Sequence, residues 1–182
     1  MVAASNQGRT SYQNAGRTLR RGLELAWNAH LTDDWRVDLA YTWLDARYRD
    51  DCSSGGCAAN AAPERVIASG NRIPGIPEHV AWASLGWEPA SGWRAGIEAR
   101  YVGKVYVNDG NTEASPGYFT TALAGGYVWF AGPWELNAFA RIDNLFNRRY
   151  AGSVIVNDGN GRYYEPAPGR NWAAGLTASY SF

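Results

Sequence analysis

The chain ends with the stretch Arg170-Asn-Trp-Ala-Ala-Gly-Leu-Thr-Ala-Ser-Tyr-Ser-Phe182. Its even positions carry apolar residues, from Trp172 through Leu176 to Phe182, whereas its odd positions carry small or polar ones. A period of two is typical of a β-strand with one apolar and one polar face. The stretch is longer than the about five or six residues usual in soluble strands, and it reaches the roughly nine to eleven that a membrane-crossing strand needs. The pattern therefore predicts a transmembrane β-strand.

Composition favours a membrane protein built from strands. Apolar residues make up 46% of the 182 residues, yet no apolar run approaches the ~18 to 20 residues of a membrane helix. The nine Trp and eleven Tyr match the aromatic girdles that outer-membrane barrels place at both water–lipid interfaces. The formal net charge is zero, so composition gives no reason to expect a nucleic-acid partner.

The same alternation recurs upstream and predicts seven strands. They are expected around Leu19–Leu31, Trp35–Trp43, His79–Trp87, Trp93–Val105, Tyr118–Phe130, Trp134–Ile142 and Arg170–Phe182. An eighth strand is a candidate within Val2–Asn14, where the pattern is weak. The alternate positions hold charged residues that are predicted to share the opposite face, namely Arg20, Glu24, Arg36, Asp38, Arg94, Glu98, Arg100, Lys104, Glu135, Arg141 and Asp143.

The connections alternate between short and long. Tight turns are predicted at Thr32–Asp34, Pro89–Gly92 and Ala131–Pro133, and long loops at about 49–78, 107–117 and 147–169. Short turns at one end and long external loops at the other are typical of bacterial outer-membrane barrels. A soluble barrel also alternates, but the loop asymmetry, the aromatic strand ends and the aromatic last residue favour the membrane. The predicted fold class is all-β, an antiparallel transmembrane β-barrel of seven to eight strands.

Several longer motifs recur in a family of known fold. Two of them are Arg141-Ile-Asp-Asn-Leu-Phe-Asn-Arg-Arg-Tyr150 and Gly161-Arg-Tyr-Tyr-Glu-Pro-Ala-Pro-Gly-Arg170, which precede the last strand. Others are Tyr12–Gly16, Arg20–Glu24 and Arg72–Pro77. Together they resemble the TonB-dependent outer-membrane receptors, and the resemblance extends over essentially the whole chain. Within that family, Gly152–Asn157 and the loop that holds Cys52 and Cys57 resemble the subgroup that includes a pyrroloquinoline quinone importer.

The resemblance implies a barrel of about 22 strands filled by an N-terminal plug. Residues 1–182 would form about the C-terminal third of that barrel. No signal peptide, TonB box or plug is recognised in the sequence, so we expect these parts to be absent from it. The implied function is import of a scarce small-molecule ligand across the bacterial outer membrane. The ligands considered are a siderophore, a cobalamin-like molecule and a quinone cofactor such as pyrroloquinoline quinone.

The resemblance also implies partners. They are outer-membrane lipid, the TonB complex (through the plug) and the barrel-assembly machinery, which would recognise Trp172, Leu176, Tyr180 and Phe182 in the last strand. The alternative hypothesis is a small self-closing outer-membrane barrel whose loops have structural, adhesive or phage-receptor roles. Neither hypothesis describes an enzyme, and neither requires a resident cofactor.

The long loops hold the candidate ligand contacts. Val107-Asn-Asp-Gly-Asn111 is repeated as Val156-Asn-Asp-Gly-Asn160. Asp-Gly favours a tight turn, because glycine tolerates the positive φ angles that such turns need. The second interpretation is that Asn108, Asp109, Asn157 and Asp158 bind a polar ligand. Arg162, Tyr163 and Tyr164 are predicted either to anchor their loop or to stack on and pair with an anionic aromatic ligand.

Cys52 and Cys57 are the only cysteines and lie in the longest predicted loop. An exported chain meets an oxidising compartment, which favours a disulfide between them over a metal site. His30 and His79 are the only histidines, and neither belongs to a local motif with a nucleophile or an acid. We therefore expect no catalytic residue and no metal centre.

Overall fold

The computed structural model describes residues 2–6, 9–13, 16–52 and 67–182. All regular structure within these residues is β-strand. The strands are β1 (Val2–Asn6), β2 (Arg9–Gln13), β3 (Thr18–His30), β4 (Trp35–Tyr48), β5 (His79–Trp87), β6 (Gly92–Val102), β7 (Val105–Tyr106), β8 (Ala114–Ser115), β9 (Tyr118–Ala131), β10 (Trp134–Asp143), β11 (Ala151–Val154), β12 (Tyr164–Pro166) and β13 (Asn171–Tyr180). In this described part of the chain, no helix is long and apolar enough to cross a membrane.

Seven of the strands form one antiparallel sheet in the order β13-β10-β9-β6-β5-β4-β3. They coincide with the seven predicted strands to within a few residues, so the all-β, antiparallel prediction is confirmed. Each strand of this sheet pairs with the next one of the seven along the chain, and the hairpins β7–β8 and β11–β12 lie in the connections. This meander is the arrangement that short turns between neighbouring strands produce.

The sheet is open. β3 and β13 are its edges and do not pair with each other, so the described residues do not close into a barrel. The predicted eighth strand within Val2–Asn14 is not a member of the sheet, because β1 and β2 pair with each other as a separate hairpin from Val2↔Gln13 to Asn6↔Arg9. A stretch without sustained alternation has no apolar face to align with the sheet, which explains the difference.

The short turns all lie at one end of the sheet. Thr32 Oγ1 accepts hydrogen bonds from the backbone N–H of Asp34 (3.3 Å) and of Trp35 (3.1 Å), which closes the β3–β4 turn. Gly92 and Gly132 have φ angles of 91° and 61°, a backbone conformation in which a side chain would be strained. The opposite end carries three long connections, here called loop A (49–78), loop B (103–117) and loop C (144–170). The predicted loop asymmetry is therefore confirmed.

The pairing register sorts the side chains of the sheet into two faces. The face with the apolar half of each alternation, here called the outer face, has a row of aromatic rings next to the short turns. The row consists of Trp35, Trp87, Trp93, Tyr127, Trp129, Trp134, Tyr180 and Phe182, and its contacting pairs have ring centroids from 5.0 Å to 6.4 Å apart. Amphipathic rings at this level are typical of a water–lipid interface.

The other face, here called the inner face, holds the charged residues predicted to share it. They are Arg20, Glu24, Arg36, Asp38, Arg94, Glu98, Arg100, Glu135, Arg141 and Asp143, while Lys104 lies in loop B just after β6. Most of the buried residues lie at the loop end of the sheet, where Ala46 is 2% and Val107 0% exposed. The described residues thus form a sheet with one largely apolar and one polar surface, and the long loops pack at one end of it.

Candidate functional site

The three long loops meet at one point, here called the loop junction. It consists of Tyr48, Asn71, Val107, Asp109 and Asn157. Asn71 belongs to loop A, Val107 and Asp109 to loop B, and Asn157 to loop C, while Tyr48 is the last residue of β4. Val107 is fully buried, and Tyr48 and Asp109 are 3% and 8% exposed. Of the residues predicted from the sequence as ligand contacts, Asp109 and Asn157 are therefore brought together.

Asp109 makes the central hydrogen bonds of the loop junction. Its Oδ1 accepts a bond from Tyr48 Oη at 2.6 Å, and its Oδ2 accepts one from Asn157 Nδ2 at 2.8 Å. Its backbone N–H donates to Asn157 Oδ1 (3.0 Å), and its carbonyl accepts from Asn71 Nδ2 (2.9 Å). A buried carboxylate requires such donors to offset its lost hydration. These bonds give Asp109 and Asn157 a structural role, and their contact with a ligand stays a prediction.

The two copies of Val-Asn-Asp-Gly-Asn bond to each other. The backbone N–H of Asn157 donates to the carbonyl of Val107 at 2.9 Å. Asn111 links the first copy to loop A, because its side chain bonds both the N–H (2.7 Å) and the carbonyl (2.9 Å) of Arg72. Positive φ occurs at Asn111 (55°) and Asn157 (57°) and not at the glycine of either copy. The predicted reason for these turns was therefore wrong: asparagine adopts the left-handed conformation, supported by its local hydrogen bonds.

Asp158 and Arg162 form the tip of loop C. Asp158 Oδ2 accepts hydrogen bonds from the backbone N–H of Asn160 (3.0 Å) and of Arg162 (2.7 Å), which closes the tip on itself. The Arg162 residue is exposed, and its guanidinium donates no hydrogen bond within the described residues. Asn108 is likewise bonded within its own loop, to Thr112 at 2.8 Å and 3.0 Å. The loop junction therefore does not include Asn108, Asp158 or Arg162.

Tyr163 and Tyr164 are adjacent rings in loop C, with centroids 6.1 Å apart in an edge-on arrangement. The carbonyl of Tyr163 accepts from the N–H of Ile155 (2.9 Å), and Tyr164 Oη donates to the carbonyl of Ala114 in loop B (3.2 Å). Desolvation raises the pKa of the Tyr164 phenol, and the nearby Glu113 carboxylate raises it further. The phenol therefore remains a hydrogen-bond donor at neutral pH. Of the two interpretations, anchoring of the loop is the one that these bonds favour for Tyr164.

A turn after β10 fixes the start of β13. Asn144 is 6% exposed, and its Nδ2 donates to the carbonyls of Arg148 (2.8 Å) and Pro168 (3.3 Å). Asn147 Oδ1 accepts a bond from the backbone N–H of Arg170 at 3.0 Å. In the sequence this segment stands out only as a family motif, and its structural role is not predicted. The repeated asparagines were the available signal, because asparagine favours side-chain-to-backbone turns.

The inner face carries a second polar group near the loop end. Arg141 donates two hydrogen bonds to Glu98 (2.6 Å and 2.9 Å) and one to Asp143 (2.8 Å). A hollow of about 560 Å³ lies beside these side chains and is also lined by Trp82 and Arg100. The guanidinium of Arg100 and the indole of Trp82 line this hollow in front of the inner face. Such groups bind anionic and aromatic groups, respectively. The alternation predicts that these charges share one face, but no motif in the sequence indicates a site there.

The remaining predicted residues are located as follows. Cys52 is disulfide-bonded, and Cys57 lies outside the described residues, so their pairing stays a prediction. Within the residues that the structure describes, no group of three or more His, Cys, Asp and Glu side chains is placed to hold a metal ion. Trp172, Leu176, Tyr180 and Phe182 lie exposed on the outer face at the edge strand β13. Their recognition by the barrel-assembly machinery stays a prediction.

Comparisons with known proteins agree with this fold. The family model described as "TonB dependent receptor-like, beta-barrel" matches residues 2–145. The chain is 29% identical over 175 residues to the probable TonB-dependent siderophore receptor PiuA of Acinetobacter baumannii, and the match covers 94% of this chain and 22% of PiuA. It is 28% identical over 154 residues to the ferrioxamine B receptor of Salmonella typhimurium, covering 82% and 20% of the two chains.

Two crystal structures from Acinetobacter baumannii are similar to this chain. The siderophore receptor PiuA superposes with a TM-score of 0.66 at 26% identity, covering 88% of this chain and 21% of PiuA. The ferric preacinetobactin receptor BauA superposes with a TM-score of 0.70 at 19% identity, covering 98% and 24%, which shows a shared fold.

This chain spans about a fifth of the length of the curated relatives that it matches. Those relatives are named as receptors and not as enzymes, and neither is named for a quinone, so the predicted quinone subgroup gains no support from them. Receptors of this kind are bacterial outer-membrane proteins, which agrees with the apolar outer face and its aromatic row. Since the family model matches well over half of the chain, the chain belongs to the TonB-dependent receptor β-barrel family of the bacterial outer membrane.

Proposed function

We propose that this chain forms part of the barrel of a TonB-dependent transporter that imports a metal chelate of the siderophore type. The observation that carries the proposal is the similarity, over 94% and 82% of this chain, to receptors named for siderophores and for ferrioxamine B. The metal–pseudopaline receptor CntO of Pseudomonas aeruginosa, 27% identical over 175 residues, adds a further metal chelate. These names favour a metal chelate over a cobalamin-like molecule or pyrroloquinoline quinone.

The open sheet supports a role as one part of a larger barrel. Unpaired backbone groups at the edges β3 and β13 would each cost several kcal/mol in lipid. We propose that further strands of the same protein pair with these two edges. In receptors of this kind the TonB complex acts through the plug, which the barrel encloses, so the polar inner face would contact the plug or the passing ligand. The small self-closing barrel has no such support, because the edges do not meet.

The tip of loop C is the proposed ligand contact. Arg162 is exposed and its guanidinium has no hydrogen-bond partner among the described residues, whereas Asp109 and Asn157 are occupied by each other. A free guanidinium suits an anionic chelate, since it donates two parallel hydrogen bonds to carboxylate-like oxygens. Tyr163 lies next to it and offers a partly exposed ring for stacking.

Growth under iron limitation tests the proposal. The full-length protein that carries this chain is expressed in a bacterial strain without its own siderophore receptors, with and without TonB. Ferric hydroxamates and ferric catecholates are supplied in turn, and uptake of cobalamin and pyrroloquinoline quinone is measured in parallel. We expect one class of ferric chelate to restore growth only when TonB is present. Uptake of the quinone alone would contradict the metal-chelate assignment, and no TonB-dependent uptake of any ligand would contradict import itself.

A pair of variants tests the ligand contact. Arg162→Ala is expected to lower the affinity for the transported chelate about tenfold, because one charge-assisted, bidentate contact is lost. Arg21→Ala is the control, since Arg21 lies on the outer face, away from the passing ligand, and pairs with Asp45 at 3.2 Å. Equal affinities of the two variants would exclude Arg162 as a ligand contact and leave the import proposal standing.

A further inference from the structure

The outer face changes from apolar to charged along β4. Its outward side chains are Trp35, Val37, Leu39, Tyr41 and Trp43, and the next two outward positions are Asp45 and Arg47. The apolar part spans about nine residues, within the roughly nine to eleven that a tilted strand needs to cross the hydrocarbon layer. Asp45 and Arg47 therefore stand at the level of the lipid headgroups on the loop side, just beyond the interfacial ring of Trp43.

Five charged residues meet at this level, here called the outer ionic cluster: Arg21, Asp45, Arg47, Arg72 and Glu78. The side chain of Asp45 is 6% exposed and lies at its centre. It accepts hydrogen bonds from Arg47 Nε (2.6 Å) and Arg21 Nη2 (3.2 Å), and Arg72 Nη2 lies 3.7 Å away. Arg72 also pairs with Glu78. Three guanidinium groups and two carboxylates give the cluster a net charge of +1.

Two arginines of the outer ionic cluster have exposed side chains and N–H groups that are available to a ligand. The side chains of Arg21 and Arg47 are 66% and 39% exposed. Within the described residues, Arg21 Nη1 and Arg47 Nη2 donate no hydrogen bond. Lys104 adds positive charge nearby: it donates to Tyr106 Oη at 2.9 Å, which lowers the pKa of that phenol, and the charges of Arg72 and Arg47 lower it further. The surface there is suited to an anion.

An apolar groove lies on the outer face below the outer ionic cluster. It encloses about 450 Å³. Small alanine side chains and larger apolar ones line it together, and the outward-facing lining residues are Leu25, Trp27, Leu39, Tyr41, Ala81, Ala83, Ala99, Tyr101 and Phe119. Asp45 and Tyr41 lie about 13 Å apart along the strand, given a rise of about 3.3 Å per residue. A charged cluster and an apolar groove therefore follow each other along the membrane normal.

We propose that the outer ionic cluster and this groove together bind one phosphorylated lipid of the outer leaflet. A headgroup phosphate contacts Arg21 and Arg47, and an acyl chain lies along the groove. Guanidinium groups suit phosphate because they present parallel N–H donors to its oxygens. A soluble anion would not bind in the apolar groove, whereas a lipid has its charged and apolar parts in this same order. The inference depends on the outer-membrane location and not on the identity of the transported ligand.

The test uses the full-length protein that carries this chain, purified in detergent, with bis-phosphorylated lipid A as the probe. Native mass spectrometry counts the bound lipid. We expect the Arg21→Gln/Arg47→Gln variant to bind lipid A about thirtyfold more weakly, which corresponds to about 1 kcal/mol for each cation at an anionic lipid surface. The control is Arg36→Gln, which removes an exposed arginine from the other end of β4 and should bind like the wild type.

Three results would overturn the proposal. The first is equal binding of lipid A by the wild type and the double arginine variant. The second, which needs no variant, is displacement of lipid A from the wild type by inorganic phosphate at equal concentration, since that identifies a simple anion site. The third concerns Ala83→Phe, which fills the groove and leaves the charges in place: unchanged lipid A binding by this variant refutes the acyl contact. Heat-modifiable gel mobility reports whether each variant is folded. If the double arginine variant does not fold, lipid A binding by Ala83→Phe decides whether the proposal stands.

Discussion

Replacing Asp109 with alanine tests whether the loop junction holds the three long loops together. The change removes the acceptors of two hydrogen bonds, from Tyr48 Oη at 2.6 Å and from Asn157 Nδ2 at 2.8 Å. It also leaves the hydroxyl of Tyr48, a residue that is only 3% exposed, without its partner. The sheet should be unaffected, because no pairing between its strands involves this side chain.

The expected magnitude follows from these two bonds. A hydrogen bond to a charged group contributes roughly 1.5 to 3 kcal/mol. We take the lower end, because a carboxylate that is 8% exposed has lost most of its hydration and this loss offsets part of the gain. Two bonds then stabilise the closed junction by about 3 kcal/mol. Since about 1.4 kcal/mol corresponds to a factor of ten, local opening should become about 100-fold more frequent.

Hydrogen exchange measured by mass spectrometry on the full-length protein in detergent reports this opening. The relevant backbone amides are those of Asp109, which donates to Asn157 Oδ1, and of Asn157, which donates to the carbonyl of Val107. Both should exchange about 100-fold faster in Asp109→Ala. Amides in the middle of β4 and β5 should keep their wild-type rates, because their partners are in the sheet.

Asp158→Ala is the matched control, because Asp158 occupies the same position in the second copy of Val-Asn-Asp-Gly-Asn. Among the described residues its carboxylate bonds only to its own loop, at Asn160 and Arg162. We expect faster exchange in this variant at the tip of loop C alone. If both variants accelerated the same amides, or if Asp109→Ala left the amide of Asn157 protected, the assignment of Asp109 as the link between the loops would be refuted.

Two further predictions concern the sheet and its rim. Gly126→Ala should reduce the heat-modifiable, folded fraction of the protein, because the new Cβ would lie 2.8 Å from the carbonyl oxygen of Ala138. Gly125→Ala is the control, because its new Cβ would lie 3.8 Å from the nearest atom. Equal folding of the two variants would contradict the steric explanation. Below about pH 4 the amide of Arg17 should lose protection. Hydrogen bonds from the Arg17 side chain and backbone hold the pKa of Asp50 below its ordinary value, so their stabilisation is present above that value and is lost as pH falls through the lowered pKa. A similar acid response in Asp50→Asn would disprove this cause.

The seven strands and the loop asymmetry were predictable because each depends on local pattern. In β10, for example, Trp134, Leu136 and Ile142 alternate with Glu135, Asn137 and Arg141, and the register with β13 keeps the two sets on separate faces. A lipid on one side and a polar interior on the other force this alternation at nearly every position. Val2–Asn14 had no such pattern, and its actual pairing as a hairpin was not predicted.

The candidate site was predicted only in part, because it depends on contacts between distant residues. The repeated Val-Asn-Asp-Gly-Asn segments indicated that Asp109 and Asp158 were equivalent. In the structure Asp109 is buried among three loops, whereas Asp158 bonds only within loop C. The difference comes from Tyr48 and Asn71, which lie about 60 and 40 residues before Asp109 and have no counterpart near Asp158 in the part of the chain that the structure describes. No local feature of either copy reports such partners.

The charged residues of the outer face can be located only when residue type and position along the strand are considered together. Alternation with apolar residues predicts that the charged residues lie on the inner face, and it predicts a second strand that ends at Trp43. β4 continues to Tyr48, and Asp45 and Arg47 occupy outward positions of the same alternation. A charge at such a position is unfavourable within hydrocarbon but favourable at the headgroup level. The change from Trp43 to Asp45 is therefore the expected membrane boundary on β4, at the level where the proposed lipid phosphate would contact the outer ionic cluster.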